Sequence, residues 1–229
     1  MTTFPKNLKA IIFDMDGTLI DTSKTWENLC FKVLKDYGYT EFTDEQRKEL
    51  ILAIDAGLNV WTAQAKRIVG FEADEEKMSQ QIQTEAIQIA EKGFPTIEGL
   101  HEFHNQLSEA GIKTCVATNA NRAPAKHLIN TCGLRKLFGD SVLCLEDVDG
   151  HGKPAPDIFL LAAKSLGVEP SECIIFEDSP HGLKAARNAK IKCICIRGSR
   201  NKDIDETLAD KFVIDYRKAI NAVIELFER

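Results

Sequence analysis

Five short apolar runs, at residues 10–13, 113–118, 141–145, 173–176 and 192–196, are the feature that most constrains the fold. They are of strand length and rich in Ile, Val, Phe and Cys, while helical spacing fills the later gaps at 123–131, 156–166 and 181–189. Strand alternating with helix implies parallel pairing, with helices covering both faces of one sheet. A further edge strand is expected at 212–214 and a closing helix at 216–227. The rhythm breaks once. Between the first two strands, residues 22–92 show no convincing strand, only helical spacing at 26–37, 44–56, 60–69 and 75–90. The expected architecture is α/β: a parallel sheet core from residues 1–21 and 93–229, with an inserted α-helical cap at 22–92. A segment that leaves and rejoins the core at two nearby points is hinged there, and can swing over what lies beside it.

What lies beside it is Asp14-Met15-Asp16-Gly17-Thr18, directly after Ala10-Ile11-Ile12-Phe13. In an open parallel sheet, ligands bind beyond the carboxyl ends of the strands. Strand alternation sends Asp14 and Asp16 to one side and Met15 to the other. A close acidic pair is costly in a crowded pocket unless a cation or a shared proton sits between its members. Gly17 and Thr18 suit a tight turn whose backbone N–H groups face inward and receive an anion's oxygen, while the carboxylates hold a metal. The pattern points to phosphate chemistry. A second Asp-x-Asp-Gly, Asp147-Val148-Asp149-Gly150, shows how common the bare motif is, and reads as an ordinary loop.

Other strand ends add to the first. Val116-Ala117-Thr118-Asn119-Ala120 offers a hydroxyl and an amide. Gly152-Lys153-Pro154-Ala155-Pro156-Asp157 braces a lysine between Gly and Pro at a helix entry, with Pro156 near the first turn. Phe176-Glu177-Asp178-Ser179-Pro180-His181-Gly182 places acidic residues before another helix, where either capping or metal ligation would select the same residue types.

Composition narrows the class. With 229 residues, 44% hydrophobic, the chain can bury one good core with a small second unit. Its net charge of −6, without basic blocks, argues against nucleic-acid or anionic-membrane partners, and requires any anion site to be locally positive. The seven cysteines are an odd number with no C-x-x-C, which suits reduced core thiols in a cytoplasmic protein. Met1-Thr2-Thr3-Phe4-Pro5 does not open a secretory leader, and no apolar run reaches the ~18 residues of a membrane span. A monomer is the default expectation.

In their order along the chain, the four motifs resemble the haloacid dehalogenase-like (HAD) phosphohydrolases, in the branch with a helical cap after the first motif. The resemblance rests on Asp14 to Thr22, Thr118-Asn119, Lys153 within Gly-Lys-Pro-Ala-Pro-Asp, and Glu177-Asp178-Ser179 with Gly182, and it covers essentially the whole chain. It implies a Rossmann-like core and Mg2+-dependent hydrolysis of a small phosphorylated metabolite, a sugar phosphate or similar phosphomonoester, through an aspartyl-phosphate. By the same resemblance Asp14 is the nucleophile and Asp16 the acid–base group. Mg2+ is held by the Asp14 carboxylate, the Asp16 backbone carbonyl and Asp178. Thr118 and Lys153 hold phosphate oxygens, Asn119 assists, and Glu177 is either a ligand or a partner to one.

Three alternatives share the scaffold. Dehalogenation needs the first aspartate but neither the second nor a metal. Sugar-phosphate mutases resembling this chain carry a His in the first cap helix, where Trp26 stands here. A non-catalytic binding module would be favoured by loss of Asp14, Asp16 or Lys153, and all three are present. Candidate contacts to the leaving group are Lys24, Trp26, Asn59, Trp61, Lys66 and Arg67, with helix packing for the two Trp and solvated faces for the rest as the competing reading.

Overall fold

A computed structural model describes residues 4–22, 24–198, 201 and 204–227. The chain opens with β1 (Ala10–Phe13), then runs through four helices, α1 (Thr25–Asp36), α2 (Asp44–Ile54), α3 (Leu58–Val69) and α4 (Glu75–Ala90). It continues with α5 (Leu100–Glu109), β2 (Lys113–Ala117), α6 (Arg122–Thr131), the short α7 (Arg135–Phe138) and β3 (Val142–Leu143). The last part comprises α8 (Asp157–Leu166), β4 (Cys173–Glu177), α9 (Pro180–Ala189), β5 (Lys192–Ile196), β6 (Lys211–Val213) and α10 (Ala219–Phe227). The strands form one sheet in the order β3-β2-β1-β4-β5-β6, and every neighbouring pair is parallel. The α/β class expected from the alternation is the one observed.

Strand periodicity sorts the core into two faces. Ile11, Phe13, Val116, Ile174, Phe176 and Ile194 point to one side, where Phe103, Phe138 and Tyr216 join them in an aromatic cluster. The alternate positions Ala10, Ile12, Cys115, Cys173, Ile175, Cys193 and Cys195 face the other side. There α8 and α9 press small residues, Ala162, Ala163, Ala185 and Ala186, against the sheet. Most of the cysteines are thus small core side chains, and all seven are free thiols. Among the described residues, no helix is long and apolar enough to cross a membrane.

Two expected elements differ. The strand expected at 141–145 shrinks to Val142–Leu143, because the Asp147 carboxylate accepts the Cys144 N–H (2.8 Å) and the chain turns into a 3-10 helix at Leu145–Val148. Asp147 also pairs with Arg122, so the second Asp-x-Asp-Gly is a structural turn, as its loop-like reading implied. The closing helix starts at Ala219, after a 3-10 turn that Asp215 caps by accepting the Arg217 N–H.

Helices α1–α4 pack chiefly on one another, α1 against α4 and α3 against both α2 and α4, and α4 also reaches α6. Thr43 and Gln46 form a capping box that starts α2, and Asp74 caps α4. The segments that lead out to these helices and back lie side by side: Asp21 donates to Pro95 O (2.9 Å) and Ile97 to Leu19 O (2.9 Å). The exit and the return are therefore a single paired crossing, set directly after the first acidic motif.

Candidate active site

The first motif is shaped by its backbone. The Asp14 N–H donates to Phe176 O (2.9 Å), carrying the β1–β4 pairing one residue past the strand. Gly17 then adopts a positive φ of 83°, and a Cβ there would overlap the Asp178 carboxylate. Its N–H donates to Ile20 O (2.8 Å), and that of Leu19 to Met15 O (2.9 Å). The Gly17 N–H thus closes the turn instead of facing an anion, against the sequence expectation for that residue. The Tyr216 hydroxyl, from the far end of the chain, donates to Thr18 O (3.1 Å) and pins the turn. Met15 is buried in the core, while Asp14 and Asp16 line the same cavity of about 90 Å³.

The end of β4 divides its labour among three adjacent residues. Ser179 caps α9, its hydroxyl accepting the Gly182 N–H (3.0 Å). Glu177 is engaged on both oxygens. Oε1 takes the Lys153 ammonium at 2.7 Å, and Oε2 accepts from Asp178 N, Ser179 N and Ser179 Oγ at 2.7–3.1 Å. A Cβ on Gly182 would overlap this carboxylate, which is why the helix can start so close to it. Asp178 is left to the cavity, with Thr18 Oγ1 donating to its Oδ1 (3.4 Å) and Asn201 Nδ2 to its carbonyl (2.7 Å).

Lys153 is the hub. Its ammonium lies 2.6 Å from Asp14 Oδ1 and 2.7 Å from Glu177 Oε1, over the ring of Phe159, with 2% of the side chain exposed. Burial works against its charge, but the two carboxylates more than offset that, and the net shift is upward. Asp14 moves upward too, to about 8: burial raises it, Lys153 lowers it, and Glu177 and Asp16 raise it again. One cation shared by two buried carboxylates cannot fully stabilise both. Asn119 fixes the lysine from behind: Oδ1 accepts the Lys153 N–H (2.9 Å) and Nδ2 donates to Lys153 O (3.2 Å) and Asp55 O (3.3 Å). Thr118 is buried in the lining and accepts the Ala120 N–H (3.1 Å).

Asp16 accepts a hydrogen bond from Trp26 Nε1 at 2.7 Å, so the first residue pair of α1 reaches the motif directly. The indole packs edge-on to Phe94 and offers its N–H rather than its flat face. Trp26→Phe keeps the ring and removes the donor. Since a hydrogen bond to a charged group is worth about 1.5–3 kcal/mol, kcat is expected to fall about tenfold to a hundredfold with little change in KM. An unchanged kcat in steady-state assays would show that Trp26 does not position Asp16.

Of the other leaving-group candidates, none with a described side chain lines the cavity. Trp61 is fully buried, donating to Leu50 O (3.0 Å), and Lys66 makes an exposed pair with Glu75. Lys24 and Arg67 are exposed, and the side chain of Asn59 lies outside the described residues. The wall comes instead from Ile54, Leu58, Gln83, Ala86, Asn121 and Leu128, none of which belongs to a sequence motif.

Asp14, Glu177 and Asp178 each offer a carboxylate oxygen, all within 4.8 Å of one another. Hard oxygen donors of this kind fit a divalent cation such as Mg2+, which needs only one or two carboxylates. Because Glu177 is fully engaged, Asp14 and Asp178 are the better donors. The Asp16 carboxylate is not in this cluster.

Comparison with known proteins follows the same lines. Residues 11–196 match the model of the family described as haloacid dehalogenase-like hydrolase. The chain is 31% identical over 194 residues to the fructose-1-phosphate phosphatase YqaB of Escherichia coli (strain K12), spanning 82% of this chain and 95% of that protein. It is 28% identical over 193 residues to hexitol phosphatase B of the same organism, covering 84% and 85%. In structure it is similar to CbbY from Rhodobacter sphaeroides in complex with phosphate, with a TM-score of 0.77 at 23% identity, covering 95% and 99% of the two chains.

Proposed function

The chain belongs to the haloacid dehalogenase-like hydrolases, and from that membership we propose that it is a Mg2+-dependent phosphatase of a small phosphorylated metabolite, a sugar phosphate or similar phosphomonoester. The observation that carries the reading is Lys153, held between Asp14 and Glu177 in a cavity that Asp16 and Asp178 also line. The names of the relatives, a fructose-1-phosphate phosphatase and a hexitol phosphatase, support the substrate class.

Asp14 attacks phosphorus through a carboxylate oxygen, and the bond from phosphorus to the ester oxygen breaks. Asp16, on the same side of the strand end, gives its proton to the departing alcohol. As a carboxylate it then takes a proton from the water that attacks the aspartyl-phosphate, releasing phosphate and restoring Asp14. Asp14 must be ionised to attack, and burial opposes that. Lys153 supplies one compensating charge and holds a phosphate oxygen, with Thr118 beside it. The Asp14 carboxylate, the Asp16 carbonyl and Asp178 would hold Mg2+, which would supply positive charge to offset repulsion between phosphate and carboxylate. Asn119 aims Lys153 by clamping its backbone, and Glu177 braces the lysine rather than binding metal.

Residues 22–92 act as the cap on a core of 1–21 and 93–229. The paired crossing at Leu19–Asp21 and Pro95–Ile97 is the hinge, and Trp26 links cap position to the acid–base group. The free cysteines support a reducing compartment, the cytoplasm. Trp26 at the mutase histidine position favours hydrolysis over phosphoryl return.

The test is release of inorganic phosphate from a panel of phosphorylated metabolites. EDTA should abolish release and Mg2+ restore it, with Ca2+ a poor substitute because its looser coordination disturbs in-line geometry. Full turnover in chelator would contradict the metal assignment, and isomer formation dependent on a bisphosphate primer would replace the phosphatase with a mutase.

A further inference from the structure

The cavity has a second half that the chemistry above does not use. Besides the carboxylates, the lining includes Ile54 at the end of α2, Leu58 at the start of α3, and a wall made by α4 and α6. Gln83 and Ala86 stand one turn apart on α4, and Asn121, Pro124 and Leu128 follow one face of α6, at spacings of three and four residues. The wall is apolar except for two amides. Asn121 occupies the N-cap position of α6, where an Asn side chain ordinarily accepts a backbone N–H. Its side chain makes no such bond, and Gln83 likewise has no side-chain hydrogen bond among the described residues. Both amides are thus available to a ligand, against surfaces that would exclude water around it.

The charges narrow the ligand further. Lys153 is the only cation among the described lining residues, and its ammonium is held by Asp14 and Glu177. The ionisable lining residue contributed by the α2–α3 connection, Asp55, is acidic. A second phosphate or a carboxylate on the leaving group would meet no compensating charge and would lose its hydration. Hydroxyl groups, each both donor and acceptor, match an amide that offers both functions.

Resting on the phosphatase reading, we propose that Gln83 and Asn121 are the specificity-determining pair, hydrogen-bonding the hydroxyls of an uncharged, polyhydroxylated leaving group that carries a single phosphate. The apolar wall packs the carbon skeleton between them. Bisphosphates and phosphorylated acids are disfavoured by the same site.

The experiment compares sorbitol 6-phosphate with n-hexyl phosphate, equal in chain length and differing in hydroxyls, and fructose 1-phosphate with fructose 1,6-bisphosphate. In Gln83→Leu and in Asn121→Ala, the ratio of kcat/KM for sorbitol 6-phosphate over hexyl phosphate should fall about tenfold relative to wild type, and further in the double variant. Wild type should favour the monophosphate over the bisphosphate by about tenfold or more. A ratio that stays within about twofold in both single variants, or a preference for the bisphosphate, overturns the proposal. Failure of the phosphatase reading looks different: wild type with Mg2+ would release no phosphate from any of the four compounds. In that event calorimetric titration of the Asp14→Asn protein decides, since selective binding of sorbitol 6-phosphate over hexyl phosphate, weakened by Gln83→Leu, supports the pair, and equal binding of the two overturns it.

Discussion

Asp14→Asn is expected to lower kcat by at least about four orders of magnitude for every phosphomonoester the wild type hydrolyses, because removing a covalent nucleophile leaves only binding and charge stabilisation. The amide is nearly isosteric with the carboxylate, so the fold should persist and substrate should still bind. Activity within about tenfold of wild type would remove the nucleophile role. The same variant reports on the cost of the buried charge. Asp14 is raised from 3.8 to about 8, so the native state holds this proton more tightly than the unfolded chain. Its contribution to stability is therefore fully present below about pH 4 and lost as pH rises towards 8. Asn cannot titrate. Without metal, the difference in Tm between variant and wild type should move in favour of the variant as pH increases across that window. A difference that is flat, or that moves the other way, would show that Asp14 is not held in this state.

Lys153→Met should be the most destabilising single change in the site. It leaves the Asp14 and Glu177 carboxylates buried with no cation between them. Breaking a buried ion pair from one side costs about 3–5 kcal/mol, enough to lower Tm by about 10 °C in a chain of this size. Turnover should vanish as well, since Lys153 is the one cation lining the cavity among the described residues. The diagnostic measurement is coupling above about pH 8, where Asp14 is ionised: adding Asp14→Asn to Lys153→Met removes one of the two stranded charges, and should restore part of the lost stability in denaturant titrations. Strictly additive losses would mean that the lysine does not neutralise the aspartate.

The two changes also show where sequence reasoning reached and where it stopped. Strand positions were legible because period-two burial on a sheet covered on both faces leaves continuous apolar runs, such as Ala10-Ile11-Ile12-Phe13, that nothing else explains. Asp14 and Asp178 were legible because each follows a strand and precedes a turn or a helix start, and Lys153 because Gly and Pro brace it ahead of a helix. The partners of those residues were not. Nothing local says that Glu177 takes four donors, that the Asn119 amide clamps the Lys153 backbone, or that Tyr216 and Asn201 pin loops far upstream in the chain. Helical periodicity identified α4 as amphipathic without saying what its face meets, so Gln83 went unnoticed while Trp61, a core residue, drew attention by its size. The shortened β3 has the same origin: a carboxylate three residues ahead captured the N–H of Cys144.

Trapping the covalent intermediate tests the central claim most directly. Asp16→Asn should slow hydrolysis of the intermediate more than its formation, so an acid-quenched reaction of that variant with an aryl phosphate, which needs little leaving-group protonation, should accumulate it. Peptide mass spectrometry is expected to find one phosphoryl group on Asp14, removed by hydroxylamine as an acyl phosphate is, and absent from Asp14→Asn. Phosphate release at the wild-type rate with no phosphoryl group on Asp14, or a phosphoryl group on any other side chain, would contradict the account.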